Sequence, residues 1–260
     1  MFDRRPLFGM IHLAALPGAP LFGGSLDAVI DAALADAHAL AEGGCDGMVL
    51  ENFGDRPFFK DGVPAETVAA MARVVAEVAR EVALPFGVNV LRNDARSALA
   101  IAAATGAAFI RVNVHTGAML TDQGIIEGRA AETLRRRAVL APHVLIFADH
   151  MVKHATPLVD LDEEQAARDL QQRGRADAII VSGRETGAEP DRERFARVRA
   201  AVDVPLLVGS GLTEANAEAF RDADGAIAGT SIKRDGRVEA PVDAARVARL
   251  AAAFRRRGGR

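Results

Sequence analysis

The chain has 260 residues, 50% of them apolar and 26% charged, with a formal net charge of -3. So apolar a chain can bury a large core, which excludes a fibrous or disordered protein. The mild acidity excludes a dedicated nucleic-acid binder, which needs a basic face. The lone cysteine, Cys45, excludes an internal disulfide and a cysteine-based zinc site.

Taken in chain order, short apolar runs alternate with helix-patterned segments. The runs cover residues 7–12, 47–51, 86–91, 109–113, 144–148, 178–181, 206–208 and 226–228. Between them lie segments rich in Ala, Leu, Glu and Arg at helical spacing, 26–41, 65–82, 95–105, 128–138, 163–173, 192–201, 214–221 and 244–256. Asp162 and Thr213 stand where N-caps belong. Residues 255–260 read as a frayed basic tail.

Eight strand–helix units of about 32 residues predict a single α/β domain, a (β/α)8 TIM barrel over residues 1–260. An open doubly wound sheet is the runner-up. It is disfavoured because no G-x-G-x-x-G follows the first strand, which also leaves no cofactor implied. The longest uncharged apolar stretch, 98–110, is shorter than the about 20 residues that cross a bilayer. No leader-like signal opens the chain. We therefore expect a cytoplasmic protein with at most peripheral membrane association. Loops are long after the first, second and fourth strands, on the face where barrels place their sites. The second of these, 52–60, carries three of the 12 Phe residues. They suit a lid or a subunit contact, and a homo-oligomer is expected.

Side chains alternate along a strand, so apolar neighbours reveal which positions face the helices. Ile110 and Val112 turn Arg111 and Asn113 inward; Val88 and Val90 do the same for Asn89. Glu51, Asp149 and His12 follow the same logic at the ends of their runs. Burying such groups costs several kcal/mol each unless they are paired. They form either a structural polar network or a ligand site, and gathering them at one end of a barrel favours the ligand.

Gly209-Ser210-Gly211 follows the seventh strand and Gly229-Thr230-Ser231 the eighth. Glycines let backbone N–H groups approach an anion, and barrels place phosphates at these two loops. The two turns predict a phosphate cradle, with residues 230–233 as a short helix; plain turns are the alternative. Ser182-Gly183, extending to Gly187, could add donors. Asp149 and Lys153 make a candidate acid/base pair, with His115 or His154 as a second titrating group. Lys153 could also form a Schiff base or be a surface lysine. Glu51, Asp149 and the histidines lack the spacing of any local metal motif, so no metal is expected.

Several motifs resemble the BtpA/SgcQ family. They are Gly9-Met10-Ile11-His12, Val49 to Asp55, Gly87 to Asp94, Phe109 to Asn113, Thr121-Asp122-Gln123-Gly124, Ala148-Asp149 with Lys153-His154, Val208 to Gly211, and Asp224-Gly225. One departure is Ser182 before Gly183, where the family pattern suggests threonine. The resemblance implies a ribulose-phosphate-binding-type barrel. It also implies two roles: enzymes of sugar or nucleoside type, or an assembly and stability factor for photosystem I. The residues themselves favour an enzyme acting on a phosphorylated small molecule, with isomerase, lyase and glycosidase chemistry all open.

Overall fold

Every apolar run forms a strand in the computed structural model, which describes residues 1–2, 4–183 and 187–256. In chain order the elements are β1 (Leu7–His12), α1 (Leu26–Glu42), β2 (Gly47–Glu51), α2 (Ala65–Glu81), β3 (Phe86–Asn89), α3 (Ala95–Thr105) and β4 (Phe109–Val112). There follow β5 (Ala118–Thr121), β6 (Gly124–Glu127), α4 (Ala130–Leu140), β7 (Leu145–His150), β8 (Ala155–Pro157), α5 (Glu163–Gln172) and β9 (Ala178–Val181). The last are α6 (Arg192–Ala201), β10 (Leu206–Val208), β11 (Gly225–Ala228) and α7 (Ala244–Arg255). Eight strands close into a parallel ring in the order β1-β11-β10-β9-β7-β4-β3-β2. Leu7 of the first strand pairs with Ala226 of the last, which shuts the ring. The fold is the predicted (β/α)8 barrel.

The two faces of the strands carry two separate apolar cores. Leu50, Val88, Ile110, Val112 and Ile146 pack outward against the helices. Phe8, Met10, Val49, Phe109, Phe147, Ile180, Leu207 and Ile227 fill the lumen. Phe109 and Phe147 stack with ring centroids 4.1 Å apart, and Phe8 meets Phe109 edge-on at 5.2 Å. This aromatic floor needs room on the neighbouring strand. A Cβ at Gly87 would overlap the Phe109 ring, so β3 contributes no side chain to that layer.

Two expectations are corrected. The helix expected at 214–221 is a single 3-10 turn, Ala217–Phe220. Asn216 Oδ1 accepts from the Thr213 amide at 2.8 Å, and Asn216 Nδ2 donates to the Gly211 carbonyl at 2.9 Å. Thr213 Oγ1 in turn accepts from the Asn216 amide at 3.3 Å, a reciprocal capping box, so Thr213 caps the turn as expected, but the segment runs on as a 3-10 turn and not as an α-helix. Asp162 does cap its helix, accepting from the Glu164 and Gln165 amides. The second correction concerns the long loop after β4. It holds a hairpin, β5 and β6, joined by β8 into a three-stranded sheet beside the barrel mouth. Met119, Ile126 and Val152 form its own buried cluster.

Of the expected tail and of the Gly183–Gly187 loop, residues 257–260 and 184–186 lie outside the described residues. Among the described residues no helix is long and apolar enough to cross a membrane. Cys45 is buried, and burial pushes its thiol up to about 12, as suits a small core residue.

A buried ion pair fastens the last strand-to-helix loop to α1. Lys233 Nζ donates to Asp36 Oδ2 at 2.7 Å, and the Val242 amide donates to Asp36 Oδ1 at 2.7 Å. Asp36→Ala removes the acceptor of both donors and strands a buried ammonium. It should lower stability by about 3–5 kcal/mol in urea denaturation, and adding Lys233→Met should recover much of that loss.

Candidate functional site

Above the aromatic floor, the inward positions of five strand ends turn polar. His12 ends β1, Glu51 ends β2, Asn89 ends β3, Arg111 lies on β4 with Asn113 just after it, and Asp149 lies on β7. All six are buried except His12, which is nearly so. Arg111 grips Asp149 with two nitrogens, Nη2 to Oδ1 at 2.9 Å and Nε to Oδ2 at 3.2 Å. Asn113 Nδ2 donates to Asp149 Oδ2 at 2.7 Å. Asn89 Nδ2 supports this from behind, donating to Asn113 Oδ1 at 3.2 Å and the Arg111 carbonyl at 3.3 Å. Burial alone would loosen the Arg111 proton, but the Asp149 and Glu51 carboxylates outweigh it and hold the guanidinium charged. The carboxylate of Asp149 is thus fully engaged.

Glu51 is not. Its carboxylate lies 3.8 Å from His12 Nε2. Burial raises its carboxyl above the usual range, and Lys153 and Arg111 offset only part of that. The His12 ring lies 4.6 Å from Phe53, which carries Arg56 on a cation–π contact at 4.7 Å. Burial, with the charges of Lys233 and Lys153, keeps this histidine neutral. Phe53 therefore closes on the site, while Phe59 stays 57% exposed. The loop between them is tied down: Asn52 Oδ1 accepts from the Leu91 amide at 2.7 Å, and Asp55 Oδ1 from the Leu16 amide at 2.8 Å.

Lys153 reaches the same space from the β7–β8 loop. Met151 and His154 on either side hold φ of 52° and 55°. Side chains seldom adopt this left-handed backbone, and it recurs where geometry serves a site. Arg92 fixes the turn, donating from Nη2 to the Lys153 carbonyl at 2.7 Å. Burial and the nearby Arg111 charge lower the basicity of Lys153, with Glu51 and Asp149 opposing.

At the glycine turns, Gly211, Thr230 and Ser231 line one cavity of about 430 Å³ with Gly187, Arg246 and Arg249. Of the six residues expected at the cradle, Gly209, Ser210 and Gly229 lie outside this cavity, and Glu214 lies on it. The Ser210 and Thr230 hydroxyls are shielded from solvent and meet no partner among the described residues. Gly211, at φ +85°, takes the Ala188 carbonyl where a Cβ would stand. A Cβ at Gly229 would lie 3.3 Å from His12 Cε1, so this cradle borders the polar rim. Residues 230–232 form the short 3-10 turn expected there.

Three of the expected ligand contacts sit elsewhere. His115 is packed in the helix layer, its Nε2 2.8 Å from the Gly174 carbonyl. The chain leaves the barrel after Asn113, so the alternation that places Asn113 no longer governs it. His154 is exposed in a groove with Met151, Leu158 and Arg194. Ser182 is buried and donates its hydroxyl to the Gly209 carbonyl, stitching β9 to β10. Arg92, Lys233 and Arg246 were not expected. Asp36 gave a signal, as an acid on the apolar stripe of Ala33, Ala37 and Leu40; periodicity gave none for Arg92. Among the described residues no group of three or more His, Cys, Asp or Glu side chains is placed to hold a metal ion.

The raised Glu51 carboxyl has a consequence for stability. The folded state holds that proton to higher pH than the unfolded state does. The stability tied to it is complete below the ordinary range near about 4.3 and is lost as pH rises through the folded value. Glu51→Gln should therefore be more stable than the native chain at pH 7, with the two converging toward pH 4 in urea denaturation.

Residues 3–256 match the BtpA family. An uncharacterized protein of Thermococcus kodakarensis is 49% identical over 250 residues, 96% of this chain and 95% of that one. The photosystem I biogenesis protein BtpA of Synechocystis is 47% identical over 244 residues, 93% of this chain and 85% of that one. Among solved structures, thiamine phosphate pyrophosphorylase of Pyrococcus furiosus superposes with a TM-score of 0.60 at 13% identity, over 97% and 96% of the two chains. That last likeness is one of fold. With relatives this similar over nearly its full length, the chain belongs to the BtpA family.

Proposed function

We propose that the protein is an enzyme acting on a small phosphorylated metabolite, of sugar- or nucleoside-phosphate type, by acid–base chemistry at the carboxyl-terminal face of the barrel. One observation carries this reading. Among the described residues, the Ser210 and Thr230 hydroxyls are shielded and meet no partner, at two glycine turns that border a charged rim. A buried hydroxyl left unmatched costs about 1–3 kcal/mol, and a phosphate oxygen supplies the missing acceptor. In this reading Gly209, Ser210, Gly211, Gly229, Thr230 and Ser231 hold the phosphate, and Arg246 adds charge from the start of α7. The name of the Pyrococcus furiosus neighbour, which includes a phosphate ester, agrees with such a ligand.

The reacting end of the metabolite then lies against Glu51, Lys153 and the Arg111–Asp149 pair. The geometry favours Glu51 and Lys153 for proton transfer, because both oxygens of Asp149 already accept from Arg111 and Asn113. Asp149 instead orients Arg111, and Asn89, Asn113 and His12 orient hydroxyls. Isomerisation, carbon–carbon cleavage and glycosidic cleavage all suit this set. The Synechocystis relative favours a second reading, a noncatalytic assembly or stability factor for a membrane complex. The two readings part at the Glu51→Gln, Lys153→Met double variant. An enzyme loses at least about a hundredfold in activity there, whereas an assembly factor still restores the complex in a strain lacking the protein.

Sugar phosphates should raise the melting temperature while the free sugars do not. Thr230→Val should keep or slightly raise the melting temperature of the unliganded protein, since it removes an unmatched hydroxyl. It should also weaken the sugar-phosphate shift, by an affinity loss on the order of tenfold. Equal shifts with phosphorylated and free sugars overturn the phosphate reading.

A further inference from the structure

Only three of the chain's 32 basic residues are lysines, Lys60, Lys153 and Lys233. Everywhere else a positive charge is an arginine, which stays protonated at any physiological pH. An ammonium can shed its proton and attack; a guanidinium cannot. Where each lysine sits therefore carries chemical meaning.

Lys60 is a surface residue, its side chain 46% exposed beside Asp61. Lys233 is spent on Asp36, 2.7 Å away in the protein interior. Lys153 differs from both. It is half-buried at the barrel mouth, in the field of Glu51, Asp149, Arg111 and Arg92. Among the described residues it makes no ion pair, because Arg111 already occupies the Asp149 carboxylate. Its backbone is held by the Arg92 bond and by left-handed residues two positions before and one after it. The main chain is fixed and the amine is unpinned, as a covalent nucleophile requires.

We propose that Lys153 forms a Schiff base with the carbonyl carbon of a phosphorylated aldehyde or ketone. This deepens the reading of a phosphorylated metabolite and rests on it. Neutral Nζ attacks the carbonyl carbon, and the π pair of the C=O bond moves to oxygen, giving a zwitterionic adduct. One Nζ proton passes to that oxygen to give the carbinolamine, and the second follows as the C–O bond breaks and water leaves, with the Glu51 carboxyl relaying both. The C–N double bond that remains, once protonated, accepts electrons from a neighbouring C–H or C–C bond that breaks. The depressed basicity of Lys153 supplies neutral amine for the first step.

Borohydride reduction tests this, because hydride turns the imine into a stable secondary amine. The probe is glyceraldehyde 3-phosphate, with glyceraldehyde as the control, and the readout is intact mass followed by peptide mapping. A single reduced adduct on Lys153, at least tenfold more abundant with the phosphorylated probe, is the expected result. Lys153→Arg, which keeps the charge, should carry no adduct at the mouth, and Glu51→Gln should slow trapping about tenfold or more. The melting temperature with the same probe separates the two levels. A thermal shift without an adduct on Lys153 overturns the Schiff base and leaves the phosphate reading standing. Neither shift nor adduct overturns both. Adducts spread evenly over Lys60 and the amino terminus also overturn the Schiff base.

Discussion

The buried Arg111–Asp149 pair organises the polar rim of this barrel. Two opposite charges lie in the lumen with almost no access to water, side chains 2% and 0% exposed. Such a pair holds only if the remaining lone pairs and protons are also matched. Asn113 takes the second carboxylate oxygen, and Asn89 steadies Asn113. That network engages both oxygens of the Asp149 carboxylate. What remains open at the rim is Glu51, pushed toward its neutral form, and Lys153, pushed the same way from the other side.

Below this rim the lumen is aromatic and dry; beside it lie the glycine turns. The three zones share one register. Along β1, Phe8 belongs to the floor, Met10 to the middle layer and His12 to the rim, where it touches both Glu51 and the Gly229 turn. The same alternation that packs the core delivers the polar groups to one end.

Much of this was legible because a strand's period of two is rigid. Ile110 and Val112 on the helix side force Arg111 inward, and no tertiary information is needed. The reading failed where local side-chain bonds or chain exits override the period. Thr213 does exchange capping bonds with Asn216, yet the segment it opens continues as a 3-10 turn and not as the expected α-helix. His115 follows an inward asparagine by two residues, yet the chain has by then left the sheet and the ring serves Gly174 instead. The hairpin of β5 and β6 was hidden because its buried cluster is small and its outer residues, Leu120 and Ile125, are exposed. Arg92 gave no local sign, since its role depends on a backbone 61 residues away.

The Asp36 carboxylate grips both ends of the excursion from Lys233 to Val242, like a clasp on a cord. Between these ends, Gly236 borders the cavity at the glycine turns and Glu239 reaches Arg56 at 3.5 Å. Closing a loop costs only about 0.6 kcal/mol more for each doubling of its length. A barrel clasped this way can lengthen or rewrite the intervening residues without disturbing its ring. The fold thus separates the part that must be kept from the part free to diversify: selectivity can drift at the cord while the clasp preserves the frame.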